Sequence, residues 1–394
     1  MILDFGFSIF DYGRYGSCRG QSGNSHERAQ ESQNGDLLRW RHGRALWVAA
    51  AMALGMAWAG VAAQAQDDPP LLNAVAYVRG HQNADGSFGG KAQPNLQTAA
   101  AMLALMSPGA VLTDADRQQI ERAAAWLEKA ASSGGELGDR VFVTESHALA
   151  TLALLCSLDR IRAQGIREAV ARRAAQGVQW LERTQDRGSA SAMQGGWRMG
   201  GTESRANDRR ATAWALLALY AARQAGLSVK DANLDRGVRY MLGAFKEKDP
   251  DPRQTGGFSV DAEGLAVEAM SAMGGWLLTQ YGAGDESRAA NQRWLAQHMP
   301  GWTGPNYFYA NFFRARALKF GDRDGKEYRR TRDRLRTQIK DRQQPDGSVD
   351  FPPGSAQNDL DMGPVFSTSF AVLILNVDES RLFFDEDFRV RPLF

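Results

Sequence analysis

From residue 71 onward the chain alternates between two kinds of apolar pattern. Segments such as 166–183 carry apolar residues on one helical face and charge on the other, the mark of a surface helix. Segments such as 212–220 (TAWALLALY) are apolar nearly all round and belong inside a fold. Short Gly-rich stretches join the two kinds, and residues 82–90 (QNADGSFGG) are the clearest of them. Asp85-Gly86 predicts a tight turn, because Gly tolerates positive φ and Asp bonds the backbone two residues on. Phe88 reads as an aromatic plug in a flexible loop, and the Gln82 amide, donor and acceptor at once, as a tie between the helix end and that loop. The unit is helix, turn, helix, and it cannot bury its apolar face alone.

The unit recurs down the chain. A second copy has Trp126-Leu127, then SSGGELG and the run 146–155; a third has Trp180-Leu181, Gln185, Gly195-Gly196-Trp197 and the run 211–222. A fourth has Tyr240-Met241, Gly256-Gly257-Phe258 and the run 264–278; a fifth, weaker, has Trp294-Leu295, GWTGPNYF and the run 309–320. The sixth restores the turn with Gln343, Asp346-Gly347-Ser348 and the run 366–375. The anchors Tyr77, Trp126, Trp180, Tyr240 and Trp294 are 49, 54, 60 and 54 residues apart. Six pairs, each with one wet and one dry helix, close into two concentric rings, so the pattern predicts an all-α (α/α)6 barrel over residues 66–377. An open solenoid is the alternative, but open arrays need polar capping repeats and none is visible.

Composition changes this picture little. The 394 residues are 43% hydrophobic and 23% charged, and the net charge of +2 speaks neither for nucleic acid nor for an acidic ligand. The Arg-rich segment 328–342 is broken by Asp333 and Asp341 and fills an outer-helix slot, so it reads as a solvated face. The first 65 residues read as a leader: Arg39, Arg41 and Arg44 precede an uncharged, Ala-rich stretch, 45–66, with a small-x-small site at Ala63-Gln64-Ala65. Cleavage after Ala65 and export to the periplasm or envelope are expected; an uncleaved membrane anchor is the alternative. The polar stretch 1–36 upstream of the basic residues suggests a start assigned too early. Loss of Cys18 with the leader leaves Cys156 alone, with no intrachain disulfide to form. Residues 378–394 have no helical period and are expected to strap over the barrel surface.

The spacing of small residue, aromatic-Leu, Gln, then Gly-x-aromatic resembles the QW motif of class II terpene cyclases, and more widely the prenyltransferase and squalene oxidase repeat. Gln82 with residues 85–90 is the nearest copy, followed by Gln176-Gly177, Trp180-Leu181, Gln185 and Trp197. The resemblance covers about residues 71–377 and implies the same α/α toroid. Class II cyclases protonate an alkene with an Asp-x-Asp-Asp-Thr-Ala motif at the start of an inner helix. Aligned on Thr212-Ala213, Asp208 matches its first acid, but Arg210 stands where the proton donor should be, and a guanidinium cannot donate that proton. Asp359 and Asp361 lie too far ahead of Ser367-Thr368 to replace it. Protein prenyltransferase β-subunits hold zinc through Asp, Cys and His. Here Cys156, His81, His147 and His298 lack suitable spacing, so neither a metal nor any other cofactor is expected. The Cys-Gly-Glu-Gln motif of thioester domains is absent.

Inner-helix N-termini should gather at one mouth. The candidate catalytic residues there are Asp208, Glu145, Glu263 and Asp361; the candidate ligand-binding residues are His147, Arg209, Tyr307 and Tyr309. Glycoside hydrolases and lyases on α/α toroids use carboxylates in this place. Against that stands a plainer reading, in which Thr144, Asp208 and Ser367 cap helices and the aromatic cluster of Tyr307, Phe308, Tyr309, Phe312 and Phe313 is core. The expected role is binding or scaffolding, with an isoprenoid, glycan or protein at the mouth, no nucleic acid, and membrane association if the leader persists. The alternative is an enzyme, either a divergent terpenoid cyclase or a carbohydrate-active hydrolase or lyase. An enzyme should bring two carboxylates of perturbed pKa to an open cavity; a scaffold should have its barrel centre plugged by side chains.

Overall fold

The computed structural model describes residues 68–380 except 109–111, 140, 187–193, 202–206, 262–263, 282–283, 300, 305, 323–324 and 352–361, together with Leu382 and Phe384. All of these belong to one unit, Val61–Phe394. Among the described residues there are twelve helices: α1 (Pro69–Gly80), α2 (Pro94–Met106), α3 (Asp114–Ala130), α4 (Val143–Ser157), α5 (Gln164–Thr184), α6 (Arg209–Gln224), α7 (Asp231–Leu242), α8 (Glu268–Gln280), α9 (Asp285–Gln297), α10 (Tyr307–Gly321), α11 (Lys326–Lys340) and α12 (Gly363–Leu375). The described strands are a short antiparallel pair, β1 (Trp197–Arg198) and β2 (Asn207–Asp208). Among the described residues no helix is long and apolar enough to cross a membrane.

The even-numbered helices form a closed inner ring in which each packs on the next and α12 packs back on α2. The odd-numbered helices lie outside, each in the groove between two inner helices, with α1 seated between α12 and α2. This is the (α/α)6 barrel of six helix pairs. Burial follows the two apolar patterns: from Thr144 to Ser157 every residue of α4 is buried, whereas α5 buries little beyond the stripe of Val170, Ala174, Gly177, Val178 and Leu181. Pro94 starts α2, where the missing N–H costs nothing, and Thr113 with Asp116 closes a capping box on α3. One boundary differs from the sequence pattern. The fourth inner helix starts at Glu268, not 264, because Ala266 is held in a bridge to Ser259.

The turns join neighbouring repeats. Gly86, Gly195, Gly256 and Gly347 occupy the same place in their units, with φ of 97°, 95°, 93° and 90°. A Cβ added at each would lie 2.7, 2.5, 2.3 and 2.4 Å from a backbone oxygen of the next outer helix, those of Arg122, Arg236, Ala290 and Asn73 respectively. The absent side chain is therefore what lets the repeats touch. Beside the glycine, Gln82 Nε2 donates to Gly86 O (3.0 Å) and to Gln119 O on α3 (2.8 Å). Gln185 Nε2 repeats this to Gly195 O (2.7 Å) and Asn233 O on α7 (2.8 Å). In the last unit Gln343 Nε2 donates to Gly347 O (3.1 Å) and to Pro70 O on α1 (2.8 Å), which ties the sixth repeat to the first.

Beyond α12, Leu382 and Phe384 are buried, and Phe384 lies 6.4 Å from the Phe312 ring; the remainder of the expected strap lies outside the described residues. Gly347→Ala should lower stability by about 2 kcal/mol or more, from a strained φ and a backbone clash. Gly80→Ala, whose methyl would meet open space, should leave the thermal midpoint nearly unchanged, and denaturation of the two variants side by side checks the difference.

Candidate functional site

The inner-helix N-termini meet at one mouth, and a buried ion pair occupies it. Arg210, in the first turn of α6, donates from Nε to Glu145 Oε1 on α4 (2.6 Å) and from Nη1 to Asn306 Oδ1 at the start of α10 (2.9 Å). Its Nη2 meets Met199 Sδ at 3.3 Å, and its guanidinium lies over the rings of Phe142 (5.4 Å) and Tyr309 (5.9 Å). Three inner helices are thus crosslinked through one side chain. A positive charge near a helix N-terminus opposes the helix dipole, and here the Glu145 carboxylate, itself fully buried, compensates it. Burial works against the charge, yet Glu145, then Asp208 and Tyr309, hold the guanidinium pKa above its ordinary value.

One turn deeper than Arg210, Trp214 fills the barrel axis. Its ring meets those of Tyr309 (5.4 Å), Phe312 (5.3 Å), Phe313 (4.9 Å) and Phe370 (6.0 Å), the last on α12 across the barrel. Phe366 packs on Phe370 at 4.6 Å and Trp276 on Phe313 at 5.8 Å. The aromatic cluster on α10 is core, with Tyr309, Phe312 and Phe313 turned to the axis.

The other candidates sit as follows. Asp208 caps α6, accepting from Ala211 N–H at 2.8 Å. Thr144 and Ser367 do not cap. Thr144 Oγ1 donates to Arg198 O (2.6 Å), and Ser367 Oγ donates to Val349 O (2.5 Å), because these helices start after Phe142 and Met362 and need no hydroxyl at those positions. Arg209 bonds Val260 O and lies over the Tyr240 ring at 4.9 Å, away from the ion pair. Tyr307 points outward, donating to Gln338 on α11 at 2.8 Å. Glu145 and Tyr309 are therefore brought together around Arg210, and Tyr307 and Arg209 are not. Glu263 and Asp361, with Asp359, lie outside the described residues.

His147 has a structural position. In four repeats an inner-helix hydroxyl accepts from the backbone N–H of the loop plug: Thr98 from Phe88 (3.0 Å), Thr212 from Trp197 (2.9 Å), Ser271 from Phe258 (2.8 Å) and Thr368 from Val349 (2.9 Å). In the second repeat His147 Nδ1 takes that place, accepting from Leu137 N–H at 2.8 Å. The ring proton then sits on Nε2, which donates to Gly177 O at 2.9 Å. Both nitrogens are thereby used within the fold, and burial pushes the ring down to about 4. His81 and His298 stack on Tyr77 and Trp294 of their own helices, and Cys156 is buried near the end of α4. Among the described residues no group of three or more His, Cys, Asp and Glu could hold a metal ion.

Fold and mouth together define the class: the chain is an α/α-toroid protein. Solved structures share the architecture. A GH76A α-1,6-mannanase from a Salegentibacter species superposes with a TM-score of 0.53 at 11% identity, over 78% of this chain and 97% of that one. A variant of the type II terpene cyclase MstE from Scytonema, in complex with merosterolic acid A, gives 0.51 at 16% identity over 78% and 95%. At these identities the likeness establishes the fold and nothing finer. No protein-family model and no curated protein matches the sequence.

Two features of this part of the barrel carry measurable consequences. The folded state holds His147 neutral to about pH 4, whereas an unfolded histidine titrates near 6.5. Its contribution is then complete above pH 6.5 and lost as pH falls toward 4, by about 3 kcal/mol in all. His147→Thr, which restores the hydroxyl of the other repeats, should be more acid-resistant than the parent by a margin that grows over that window, as paired urea titrations at pH 7 and pH 4.5 would read. For the ion pair, Arg210→Ala leaves Glu145 buried with its guanidinium partner gone and should cost about 3–5 kcal/mol; adding Glu145→Ala should restore part of that loss in thermal unfolding.

Proposed function

We propose that this toroid is a scaffold that holds a partner protein at its inner-helix N-terminal mouth and performs no terpenoid cyclisation. The observation that carries the reading is the Arg210–Glu145 pair standing over Trp214. In the QW-type repeat arrangement that the sequence resembles, that place belongs to a strong acid facing an open chamber. Here a permanent cation occupies it, and aromatic rings meet across the axis below. Apolar side chains on the rim support a protein partner: Val141 ahead of α4, and Val260 and Leu265 ahead of α8, are 49%, 58% and 71% exposed. Exposed apolar contact of this kind suits another protein surface better than an isoprenoid, which needs enclosure.

A second reading rests on the fold shared with the α-1,6-mannanase. Hydrolysis needs two available carboxylates, whereas Glu145 is committed to Arg210 and Asp208 to Ala211. We further propose export to the envelope with cleavage after Ala65, on the basic residues Arg39, Arg41 and Arg44 and the Ala-rich stretch 45–66.

The test uses the full chain expressed in its native host. Wild type should neither convert squalene nor release sugar from α-1,6-mannan, and should not retain a linear isoprenoid in native mass spectrometry. Trp214→Ala, which removes the axial ring, should gain binding of a small apolar probe. Turnover of squalene would overturn the scaffold reading, and sugar release lost in Glu145→Gln would replace it with the hydrolase. N-terminal sequencing of the same sample should begin at Gln66; a chain retaining residues 45–65 would make the stretch an anchor.

A further inference from the structure

Four of the junctions between successive repeats share one construction. Gly86, Gly195, Gly256 and Gly347, all at positive φ, press their turns against the next outer helix at the 1–2, 3–4, 4–5 and 6–1 junctions, and Gly135, also at positive φ, is in ordinary contact with Gln176 at the 2–3 junction. At the 5–6 junction Gly301 has nothing within 4 Å of its would-be Cβ. Side chains bridge the gap instead: Tyr307 donates to Gln338 Oε1 at 2.8 Å, and the Arg342 guanidinium lies over Trp302 at 5.0 Å.

The charges at this junction are uneven. On its other faces α11 neutralises its arginines: Arg330 with Glu327 (3.8 Å), Arg332 with Asp378 (2.9 Å) and Arg336 with Asp68. Toward the junction, Arg334 and Arg342 have no carboxylate within ion-pair reach among the described residues. Beneath them Arg314 is fully buried, donating to the backbone oxygens of Leu295 and His298. Burial raises the Tyr307 hydroxyl above its ordinary value against the pull of Arg342, Arg334 and Arg314, which places three positive charges around one phenol. Gln338 lies midway between Arg334 and Arg342, four residues from each, so the three share one face of the helix and the turn that continues it. Because Tyr307 donates to Gln338 Oε1, the amide orientation is set, and Nε2 remains as a donor.

The geometry points to an oxyanion site at the 5–6 junction, in which Arg334 and Arg342 clamp a phosphate group and Gln338 Nε2 donates between them. A single guanidinium satisfies the two oxygens of a carboxylate, whereas two guanidiniums and an amide supply donors for the non-bridging oxygens of a phosphate group, whether the diester of a headgroup or free phosphate. Arg342, stacked on Trp302, is already ordered for the task. The site lies on the outer side of the α10–α11 pair at the mouth end of the barrel, next to Asn306, and uses none of the side chains of the Arg210–Glu145 pair. Phosphate could be supplied free in solution or as a lipid headgroup, and the same chemistry recognises both.

The experiment takes the full chain through equilibrium dialysis against labelled inorganic phosphate, and through flotation with phosphatidylglycerol vesicles beside phosphatidylcholine ones. Saturable phosphate binding is expected, weakened at least tenfold in Arg334→Ala/Arg342→Ala, with cooperative unfolding retained. Lys326→Ala/Lys340→Ala, which removes two cations elsewhere on α11, should leave it intact. Flotation with phosphatidylglycerol alone, abolished by the arginine pair and competed by phosphate, would assign the site to a headgroup; phosphate binding without flotation would assign it to a soluble phosphate. Equal weakening by the lysine pair would mean diffuse attraction and overturn the site. So would binding unaffected by the arginine pair, or no saturable binding of either probe.

Discussion

The whole ring rests on the contact between a left-handed glycine and the backbone of the following outer helix. Where Gly347 meets Asn73 O, and Gly86 meets Arg122 O, a methyl group would stand inside van der Waals distance of the carbonyl. The glutamines beside those turns add paired amide donors that satisfy carbonyls on both sides of the junction. Contacts of this sort give each repeat a fixed angle to the next. A constant turn of one sixth of a circle per pair closes six pairs on themselves, and the bond from Gln343 to Pro70 makes the array a ring and not a solenoid. The inner helices then acquire their neighbours as a consequence, which is why they can be so uniformly apolar.

Much of this architecture was legible in the residue pattern, because helical period and turn chemistry are local. The alternation of wet and dry helices, the six units and the turn at Asp85-Gly86 all follow from residues within a few positions of each other. Gln82 was legible only by half. Its bond to Gly86 O is local, but its bond to Gln119 O spans 37 residues and belongs to packing. His147 shows a different failure. Its residue type suggests ligand chemistry, whereas its register answers the question: Leu137 precedes His147 by ten positions, as Phe88 precedes Thr98, and both pairs make the same bond. The pairing of Arg210 with Glu145 joins residues 65 apart on different inner helices, and no periodicity announces it.

That pairing has a physical logic tied to its depth. Two ions withdrawn from water lose several kcal/mol of solvation each, and only good geometry with further hydrogen bonds recovers it. Arg210 meets that requirement through Asn306 and Met199 as well as Glu145. The guanidinium, charged at every accessible pH, fixes a positive centre at the mouth that no proton can neutralise. Glu145 lies against it at 2.6 Å, fully buried, and the site holds geometry where a titratable acid alone would hold reactivity.

The barrel is also lopsided, and the lopsidedness connects its interior to its outer face. Large rings enter the axis from α6, α10 and α12, while α2 and α4 contribute mainly alanine and leucine. The fifth repeat supplies Tyr309, Phe312 and Phe313 to the axis, and Gly301 in the loop before α10 presses on nothing within 4 Å. On the outward side of α10, Tyr307 and Arg314 reach partners that backbone contact serves elsewhere: Gln338 on α11 and the last carbonyls of α9. One helix therefore plugs the barrel with one face and braces an irregular junction with the other. A substitution on its axial face, by shifting the helix, would be transmitted to the arginines outside, so the two faces are mechanically one element even though their chemistry differs.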